Sequence, residues 1–249
     1  MTSKNIPGKL SPAYLKYRAK VTIIKLLKGI HNLFYKIGLD IRFRKDAILS
    51  DAAQENSLEA INNYYSSVDK QFEITSSGHQ KFFQEIIKIL ETSGINLKEK
   101  KIADFGCGIG NLLMHLEKQF QPAECNGFDF SEVLLNLAAQ RFPKGRFEQH
   151  DIYKPLDRKF DFVFCTEVIE HLLYPDQAVK NLLSTLNHNG GAFISVPDGR
   201  RDTYELHINF WSPESWDVFI RNQVSGKARI ETGYVTANNL YALIIFNQE

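Results

Sequence analysis

The sequence has few cysteines and no long apolar run, and both absences narrow the class of protein. Its 249 residues include only three cysteines, Cys107, Cys125 and Cys165. An odd number without C-x-x-C spacing argues against a disulfide framework and against a zinc knuckle. No run of about 18 apolar residues occurs, so the sequence predicts no membrane-spanning helix. We therefore expect a protein of the reducing cytoplasm.

Low-complexity segments are also missing, and the composition is that of a globular protein, with 43% hydrophobic and 24% charged residues. The net charge of +1 is unevenly distributed along the chain. Residues 1–46 contain eleven Lys or Arg and two acidic residues, a balance of +9, so the other 203 residues sum to −8. This asymmetry predicts a basic N-terminal extension on a mildly acidic body.

A basic amphipathic helix is predicted within residues 20–37. Its apolar residues recur at helical spacing, and lysines lie on the opposite side. Three interpretations stay open. The helix docks on the rest of the chain or on a second subunit, it lies on an anionic membrane as a peripheral contact, or it is a mitochondrial transit peptide. The oligomeric state stays open as well. We expect a cytoplasmic protein, which is membrane-associated if the second interpretation holds.

The chain is predicted to divide near residue 79. Residues 1–78 form the helical extension, in which Tyr64, Tyr65 and Phe72 either pack on the core or cover an active site. In residues 79–249, strands and helices alternate, which predicts βαβ units and a parallel sheet. Strands are predicted over 101–105, 125–130, 146–150, 160–166, 192–196, 228–235 and 240–247, and helices over 111–120, 132–142, 177–186 and 213–221.

The last two predicted strands are joined by only four residues, so they must form an antiparallel hairpin. The predicted fold class is therefore α/β, a Rossmann-like, seven-stranded, mostly parallel sheet with a C-terminal antiparallel β-hairpin and a helical N-terminal extension. A closing hairpin of this kind is not the usual arrangement of nicotinamide-binding proteins.

A glycine-rich loop follows the first predicted strand and leads directly into a helix. Its sequence is Asp104-Phe105-Gly106-Cys107-Gly108-Ile109-Gly110. The glycines let the backbone turn tightly, and the helix N-terminus offers N–H donors to a ligand. The dinucleotide spacing G-x-G-x-x-G is not met, because Asn111 stands at the place of the third glycine. The loop alone indicates a nucleotide-type cofactor without saying which.

Two acids follow at the ends of the next two strands. Asp129 is placed to accept hydrogen bonds from both hydroxyls of a ribose, and Asp151 from an adenine amino group. Phe130 and Ile152, the residues that follow them, are placed to sandwich an adenine ring. Each acid alone is also a common turn or cap residue. Together with Asp104, however, they lie at the carboxyl edge of a parallel sheet, where ligands bind.

These motifs resemble those of class I S-adenosylmethionine (SAM)-dependent methyltransferases. The matching segments are 102–110, 127–131 and 160–171, and the resemblance extends over about residues 80–247. It implies a SAM site at the carboxyl edge of the sheet. By this resemblance Asp104 and the glycines Gly106, Gly108 and Gly110 face the methionine part of SAM, Asp129 the ribose and Asp151 the adenine, and Thr166 lies beside the sulfonium. The predicted cofactor site also includes Cys107 of the loop and the two residues placed to sandwich the adenine, Phe130 and Ile152.

A Glu-x-x-Glu-His sequence follows the fourth predicted strand, next to the expected position of the methyl group. If the chain turns helical there, Glu167, Glu170 and His171 share one face. Two interpretations stay open. The three residues bind a divalent cation, Mg²⁺ or Zn²⁺, which lowers the pKa of an acceptor hydroxyl. Alternatively, His171 is the general base and the glutamates orient it.

The same segment resembles the ubiquinone-biosynthesis O-methyltransferases and, equally, the small-RNA 3′-terminal 2′-O-methyltransferases. The second resemblance implies a further histidine after the fifth strand, and His207 stands in a matching place. A metal site would then consist of Glu167, Glu170, His171 and His207. Many small-molecule methyltransferases with similar loops bind no metal, so a hydrogen-bonded His207 and solvated glutamates are the alternative.

The predicted function is methyl transfer from SAM to a hydroxyl of a small molecule, namely a phenol or quinol, a sugar or a lipid-linked intermediate. Such an enzyme mainly aligns acceptor, methyl and sulfur and deprotonates the acceptor. No nucleic-acid-binding module is recognisable, and an acidic body has the wrong sign for a long nucleic acid. Two alternatives stay open: an RNA 3′-terminal 2′-O-methyltransferase, and a SAM-binding partner protein without turnover.

Overall fold

The computed structural model describes residues 80–204 and 206–246. The predictions for the basic helix, its membrane contact and the aromatic residues of the extension lie outside the described residues. Helices and strands alternate in the order that the sequence predicts. They are α1 (Gln80–Thr92), β1 (Lys101–Phe105), α2 (Asn111–Phe120), β2 (Glu124–Asp129), α3 (Glu132–Arg141), β3 (Arg146–Gln149), β4 (Phe160–Thr166), a 3₁₀ turn (Ile169–His171), α4 (Pro175–Ser184), β5 (Leu186–Pro197), α5 (Pro213–Gln223), β6 (Ala228–Thr236) and β7 (Asn239–Phe246).

The described strands form one seven-stranded sheet in the order β3-β2-β1-β4-β5-β7-β6. The first five strands pair in parallel, whereas β7 is antiparallel to both β5 and β6. The predicted Rossmann-like sheet with a C-terminal antiparallel hairpin is therefore confirmed. Among the described residues, no helix combines the length and the apolar character needed to cross a bilayer.

The core lies on both faces of the central strands, and β4 shows why. Its alternate residues Phe162 and Phe164 pack with α1 and α2, while Val163 and Cys165 pack on the opposite face with α4 and α5. A strand that is covered on both faces needs a nearly continuous apolar sequence, which Phe160–Thr166 has.

Most element boundaries agree with the prediction within two residues, but β5 begins at Leu186 instead of residue 192. Phe160 of β4 pairs with Leu186 and Phe162 pairs with Gly191, so residues 187–190 bulge out opposite Asp161. Asn187 donates a hydrogen bond from Nδ2 to Asp161 Oδ1 at 2.8 Å, which holds the bulge. The polar residues of the bulge interrupt the apolar pattern, and for this reason the sequence predicts too short a strand.

Candidate functional site

The glycine loop is attached to the neighbouring strand and open on its other side. The backbone N–H groups of Gly106 and Cys107 both donate to the Phe128 carbonyl, at 2.7 and 3.0 Å. Gly106 has a φ of +79°, and a Cβ there would lie 2.2 Å from Cγ2 of Val168. At Gly108, whose φ is +52°, a Cβ would meet no described atom within 4 Å. The loop therefore leaves space for a ligand at Gly108.

Asp129 connects this loop to the end of β2. Its Oδ2 accepts from the Gly108 N–H at 2.8 Å, and its Oδ1 accepts from the Ser131 N–H at 2.9 Å. Burial raises the pKa of Asp129, and the backbone hydrogen bonds act against that rise. A carboxylate has about four lone-pair sites, so Asp129 retains capacity for ribose hydroxyls.

Asp104, at the base of the loop, provides the sharpest test of whether SAM fits. Its side chain is 2% exposed, and Oδ1 has no hydrogen-bond partner among the described residues. Burial raises the pKa of Asp104 to about 8, and the charge of Asp129 adds to the rise. A buried carboxylate oxygen without a donor is costly. The ammonium group of the methionine part of SAM is a donor of the right charge.

The far end of the predicted cofactor site is more exposed. Asp151 Oδ1 accepts from the Tyr153 N–H at 3.0 Å, so this acid also forms a turn. The Phe130 ring is 38% exposed, whereas Ile152 is half-buried and packs against the core. The structure thus offers one open apolar ring beside the end of β2, and the sandwich of an adenine between Phe130 and Ile152 stays a prediction.

Three other predicted cofactor residues occupy the central part of the edge. Cys107 is buried, and its burial raises the pKa of the thiol, so it is a neutral packing group of the loop. Gly110, with a φ of +77°, immediately precedes α2. Thr166, half-buried, is the last residue of β4 and pairs in register with Ser195.

Three of the four predicted metal ligands lie together just beyond β4. The carboxylate of Glu170 is 1% exposed, and neither of its oxygens has a hydrogen-bond partner in the described part of the chain. The Nε2 atoms of His171 and His207 each lie 3.8 Å from Glu170 Oε1. One ligand atom from each residue lies within 4.8 Å of the others. A buried carboxylate beside two imidazole nitrogens suits a divalent cation.

Both imidazoles are oriented by a hydrogen bond at their other nitrogen. His171 Nδ1 lies 3.1 Å from the Leu206 carbonyl, which can only accept, so Nδ1 carries the proton. His207 Nδ1 is hydrogen-bonded to the carboxylate of Asp202. Burial and, second to it, the nearby His207 lower the pKa of His171 to about 4, so His171 is neutral at pH 7. In both histidines Nε2 is thereby the nitrogen left on the side of Glu170, as in metal-binding histidines.

Backbone hydrogen bonds bring the two histidines together. The N–H groups of Ile208 and Asn209 both donate to the carbonyl of Glu170 at 3.0 Å. Asn209 also donates from Nδ2 to the Leu172 carbonyl at 2.6 Å. The loop after β5 is therefore docked onto the 3₁₀ turn, and His207 is carried to the cluster.

Glu167 does not share a helical face with Glu170 and His171, contrary to the expectation. The helical part comprises only Ile169–His171, and Glu167 has a left-handed φ of +57°. Its oxygens accept from Ser195 Oγ at 2.9 Å and from Asn239 Nδ2 at 2.7 Å. Burial raises the pKa of Glu167 to about 7. The reversed backbone at this residue turns its carboxylate toward β5 and β7.

Sequence reasoning missed Asp202, Ser195 and Asn239. Asp202 had a signal, because a carboxylate five residues before a candidate histidine ligand is a common orienting partner. Asn239 lies in the predicted four-residue connection between the last two strands, which indicates only a turn residue, and nothing in the sequence marks Ser195. Ser195 gains its role from the pairing of β5 with β4, and Asn239 from the pairing of β7 with β5. The sequence registers neither pairing.

Comparisons with known proteins agree with this geometry. The model of a family described as a methyltransferase domain matches residues 78–223. A trans-aconitate 2-methyltransferase of Variovorax paradoxus is 32% identical over 104 residues, which are 41% of this chain and 40% of that protein. A ubiquinone biosynthesis O-methyltransferase of Coxiella burnetii is 32% identical over 113 residues, 41% of this chain and 45% of that protein.

Among solved structures, the magnesium protoporphyrin IX methyltransferase of Synechocystis PCC 6803 with bound S-adenosylhomocysteine (SAH) has a similar fold. Its TM-score is 0.60 at 18% identity, covering 77% of this chain and all of that one. The chain spans less than half the length of the two curated relatives described above. The fold and the cofactor class follow from these likenesses, whereas the acceptor does not.

Proposed function

Because this chain belongs to the class I SAM-dependent methyltransferases, we propose that it methylates an oxygen of a small-molecule acceptor that is held at a divalent cation. The observation that carries the proposal is the cluster of Glu170, His171 and His207, in which a buried carboxylate without hydrogen-bond donors among the described residues faces two imidazole Nε2 atoms. The cation would lower the pKa of the acceptor hydroxyl and orient its oxygen toward the methyl group.

The donor set favours one kind of metal. Two imidazole nitrogens and one carboxylate oxygen suit Zn²⁺ and similar transition-metal ions better than Mg²⁺, which prefers carboxylates, phosphates and water. Three protein ligands leave coordination positions for the acceptor. In this proposal Glu170, His171 and His207 hold the ion, whereas Asp202 orients His207.

The cofactor is proposed to lie along the carboxyl edge with its methyl group near the cluster. Asp104 would accept from the methionine ammonium group, Asp129 from the ribose hydroxyls and Asp151 from the adenine amino group. Thr166 would lie beside the sulfonium. The acidified hydroxyl would give its proton to water, and the acceptor oxygen would bond to the methyl carbon as the bond from that carbon to sulfur breaks, which would release SAH.

Exposed apolar side chains close in sequence to the cluster support an acceptor with an apolar or aromatic body. Leu173 and Tyr174, which follow the 3₁₀ turn, are exposed, and so are Tyr204 and Phe210 in the loop after β5. The Tyr204 ring centroid lies 4.8 Å from that of His207. Exposed apolar side chains around a polar site are typical of a binding surface. By their names, the two curated relatives act in ubiquinone biosynthesis and on trans-aconitate.

A 3′-terminal RNA ribose is the second candidate, because the same cluster would suit its hydroxyls. The charge speaks against it, since residues 47–249 sum to −8 and RNA binding relies on basic surfaces. Activity on RNA would fall steeply with salt, whereas activity on an uncharged phenol would not.

The test uses purified chain, labelled SAM, and a panel of catechols, quinols, carboxylic acids, sugars and short RNAs, with and without a chelator. We expect transfer to a hydroxylated aromatic, loss of transfer with chelator, and its restoration by Zn²⁺ or Mn²⁺. Glu170→Gln should abolish transfer, whereas the exposed Glu91→Gln should leave it unchanged. Chelator-resistant transfer with an active Glu170→Gln variant would refute the metal site. SAM binding without transfer to any acceptor would instead favour a partner protein without turnover.

A further inference from the structure

We propose that Glu167 is a positioning residue, which anchors the turn that carries Glu170 and His171 to strands β5 and β7, and that it is not a metal ligand. The inference rests on the proposed function, because it concerns the same metal site. It changes the expected donor set from four side chains to three, Glu170, His171 and His207.

The two glutamates of the Glu-x-x-Glu-His sequence have opposite surroundings. Both oxygens of Glu170 lack a hydrogen-bond donor among the described residues. Both oxygens of Glu167 have one, Ser195 Oγ at 2.9 Å and Asn239 Nδ2 at 2.7 Å. Every lone pair of Glu170 is thus left for an ion. Glu167 is not part of the group whose ligand atoms lie within 4.8 Å of one another.

The donor from β7 is itself held in one orientation. Thr236 Oγ1 donates to Asn239 Oδ1 at 2.6 Å, so the amide NH₂ of Asn239 faces Glu167. Thr236 and Asn239 flank the tight turn between β6 and β7 and pair with each other. The C-terminal hairpin thus presents a fixed donor, which holds the Glu167 carboxylate against the sheet.

The backbone of Glu167 shows that the turn is constrained from several sides. Its φ of +57° is unfavourable for a residue with a side chain and persists only when the surroundings enforce it. Its N–H donates to the Ser195 carbonyl at 3.0 Å. The next residue, Val168, fills the space that a Cβ on Gly106 would need. The turn is therefore set between the glycine loop and β5, which fixes the distance between the methyl donor and the metal ligands.

Two substitutions of Glu167 separate a positioning residue from a ligand. In Glu167→Gln, the amide oxygen still accepts from Asn239 and the amide NH₂ can donate to Ser195 Oγ, because a hydroxyl both donates and accepts. In Glu167→Ala both bonds are lost. We expect Co²⁺ affinity and kcat within about 3-fold of the parent for Glu167→Gln, and about 10- to 100-fold lower for Glu167→Ala, the usual effect of residues behind metal ligands.

The measurement is titration of the full chain with Co²⁺ alone, followed by its visible absorption spectrum, which reports the ligand set. Glu167→Ala should bind Co²⁺ more weakly but keep the shape of the parent spectrum. Asn239→Ala should behave in the same way, although Asn239 is not a ligand in this proposal, because its Oδ1 accepts from Thr236. The double variant should be no weaker than Glu167→Ala, because both act through one contact. In all of these variants the apparent SAM affinity should stay within about 2-fold of the parent, because the glycine loop keeps its hydrogen bonds to β2.

Glu231 is the matched control, because its carboxylate accepts from Tyr241 Oη at 2.6 Å and Ser93 Oγ at 3.2 Å on another part of the sheet. Glu231→Ala should lower stability without changing Co²⁺ affinity. The inference is overturned if Glu167→Gln loses Co²⁺ as completely as Glu170→Gln, or if its spectrum changes shape. If the parent itself binds no Co²⁺, the proposed metal site fails and this inference fails with it.

Discussion

The imidazole of His207 is held between two carboxylates: its Nδ1 is hydrogen-bonded to Asp202, and its Nε2 lies 3.8 Å from Glu170 Oε1. Asp202 thereby selects the tautomer whose Nε2 lone pair faces the cluster. We expect Asp202→Ala to lower metal affinity about 10- to 100-fold, and Asp202→Asn, which keeps an acceptor oxygen, to have a smaller effect. Competition with a chromogenic Zn²⁺ chelator measures both. Equal affinity of Asp202→Ala and the parent would contradict this role.

The raised pKa of Asp104 should make both stability and SAM binding depend on pH. The folded-state pKa of about 8 lies above the ordinary value of 3.8, so the folded chain holds this proton more tightly. The contribution of Asp104 to the free energy of unfolding is therefore fully present below about pH 4 and is lost as the pH rises to about 8. SAM, whose ammonium group pairs with the ionised form, should bind more tightly as pH rises from 6 toward about 8.

Asp104→Asn is the control for this prediction, because the amide does not titrate. Calorimetric SAM titrations and thermal unfolding across the pH range should show a flatter pH dependence in the variant than in the parent. If SAM affinity and stability change with pH equally in the variant and the parent, a group other than Asp104 causes the pH dependence.

Two glycine substitutions should separate backbone crowding from obstruction of the cofactor. Gly106→Ala places a Cβ 2.2 Å from Val168 Cγ2 at a positive φ, so we expect a loss of about 2–4 kcal/mol in stability. Gly108→Ala meets open space and should lose only about 1–2 kcal/mol from its left-handed backbone. Its SAM affinity should nevertheless fall at least 10-fold, because the methyl group enters the space proposed for the ligand.

Chemical denaturation and SAM titration of both variants check these values. Tight SAM binding by Gly108→Ala would show that the cofactor does not approach the loop from that side.

Tyr204 should contribute to acceptor binding. Its ring is 40% exposed and lies edge-on to both histidines, with centroids 4.8 Å from His207 and 6.5 Å from His171. We expect Tyr204→Ala to raise the KM of an aromatic acceptor about 10-fold with little change in the KM of SAM, because about 1.4 kcal/mol of stacking corresponds to that factor. Tyr204→Phe should stay close to the parent. Val218 is an exposed apolar residue of α5, and Val218→Ala should leave the KM of the acceptor unchanged. A similar rise in that KM would mean that the assay reports a loss of stability instead.

The fold was predictable because its signals are local. The continuous apolar sequence of β4, the glycine loop before α2 and the short connection between β6 and β7 each depend on neighbouring residues. The acids at the strand ends were predictable for the same reason, since parallel strands end at one edge. His207 was placed by resemblance, and the structure brings it to Glu170.

The surroundings of Glu167 could not be predicted in this way. Its reversed backbone and its contact with Asn239 depend on the register in which β7 lies against β5. The prediction that Glu167 lies beside Glu170 assumes regular helical dihedral angles over the whole segment, and Glu167 does not have them. Ser195 carries no signal for a similar reason, because its contact with Glu167 depends on the pairing of β5 with β4.

The position of β7 also determines the order in which the site can form during synthesis. A chain emerges from the ribosome N-terminus first, so the glycine loop and the metal-ligand turn are made well before Asn239. Yet β7 lies inside the sheet, between β5 and β6, and supplies the donor that holds Glu167. A nascent chain that stops before residue 239 would carry all proposed SAM and metal ligands but lack this hydrogen bond. The turn that carries Glu170 and His171 therefore gains one of the two side-chain anchors of Glu167 only when the sheet is nearly complete.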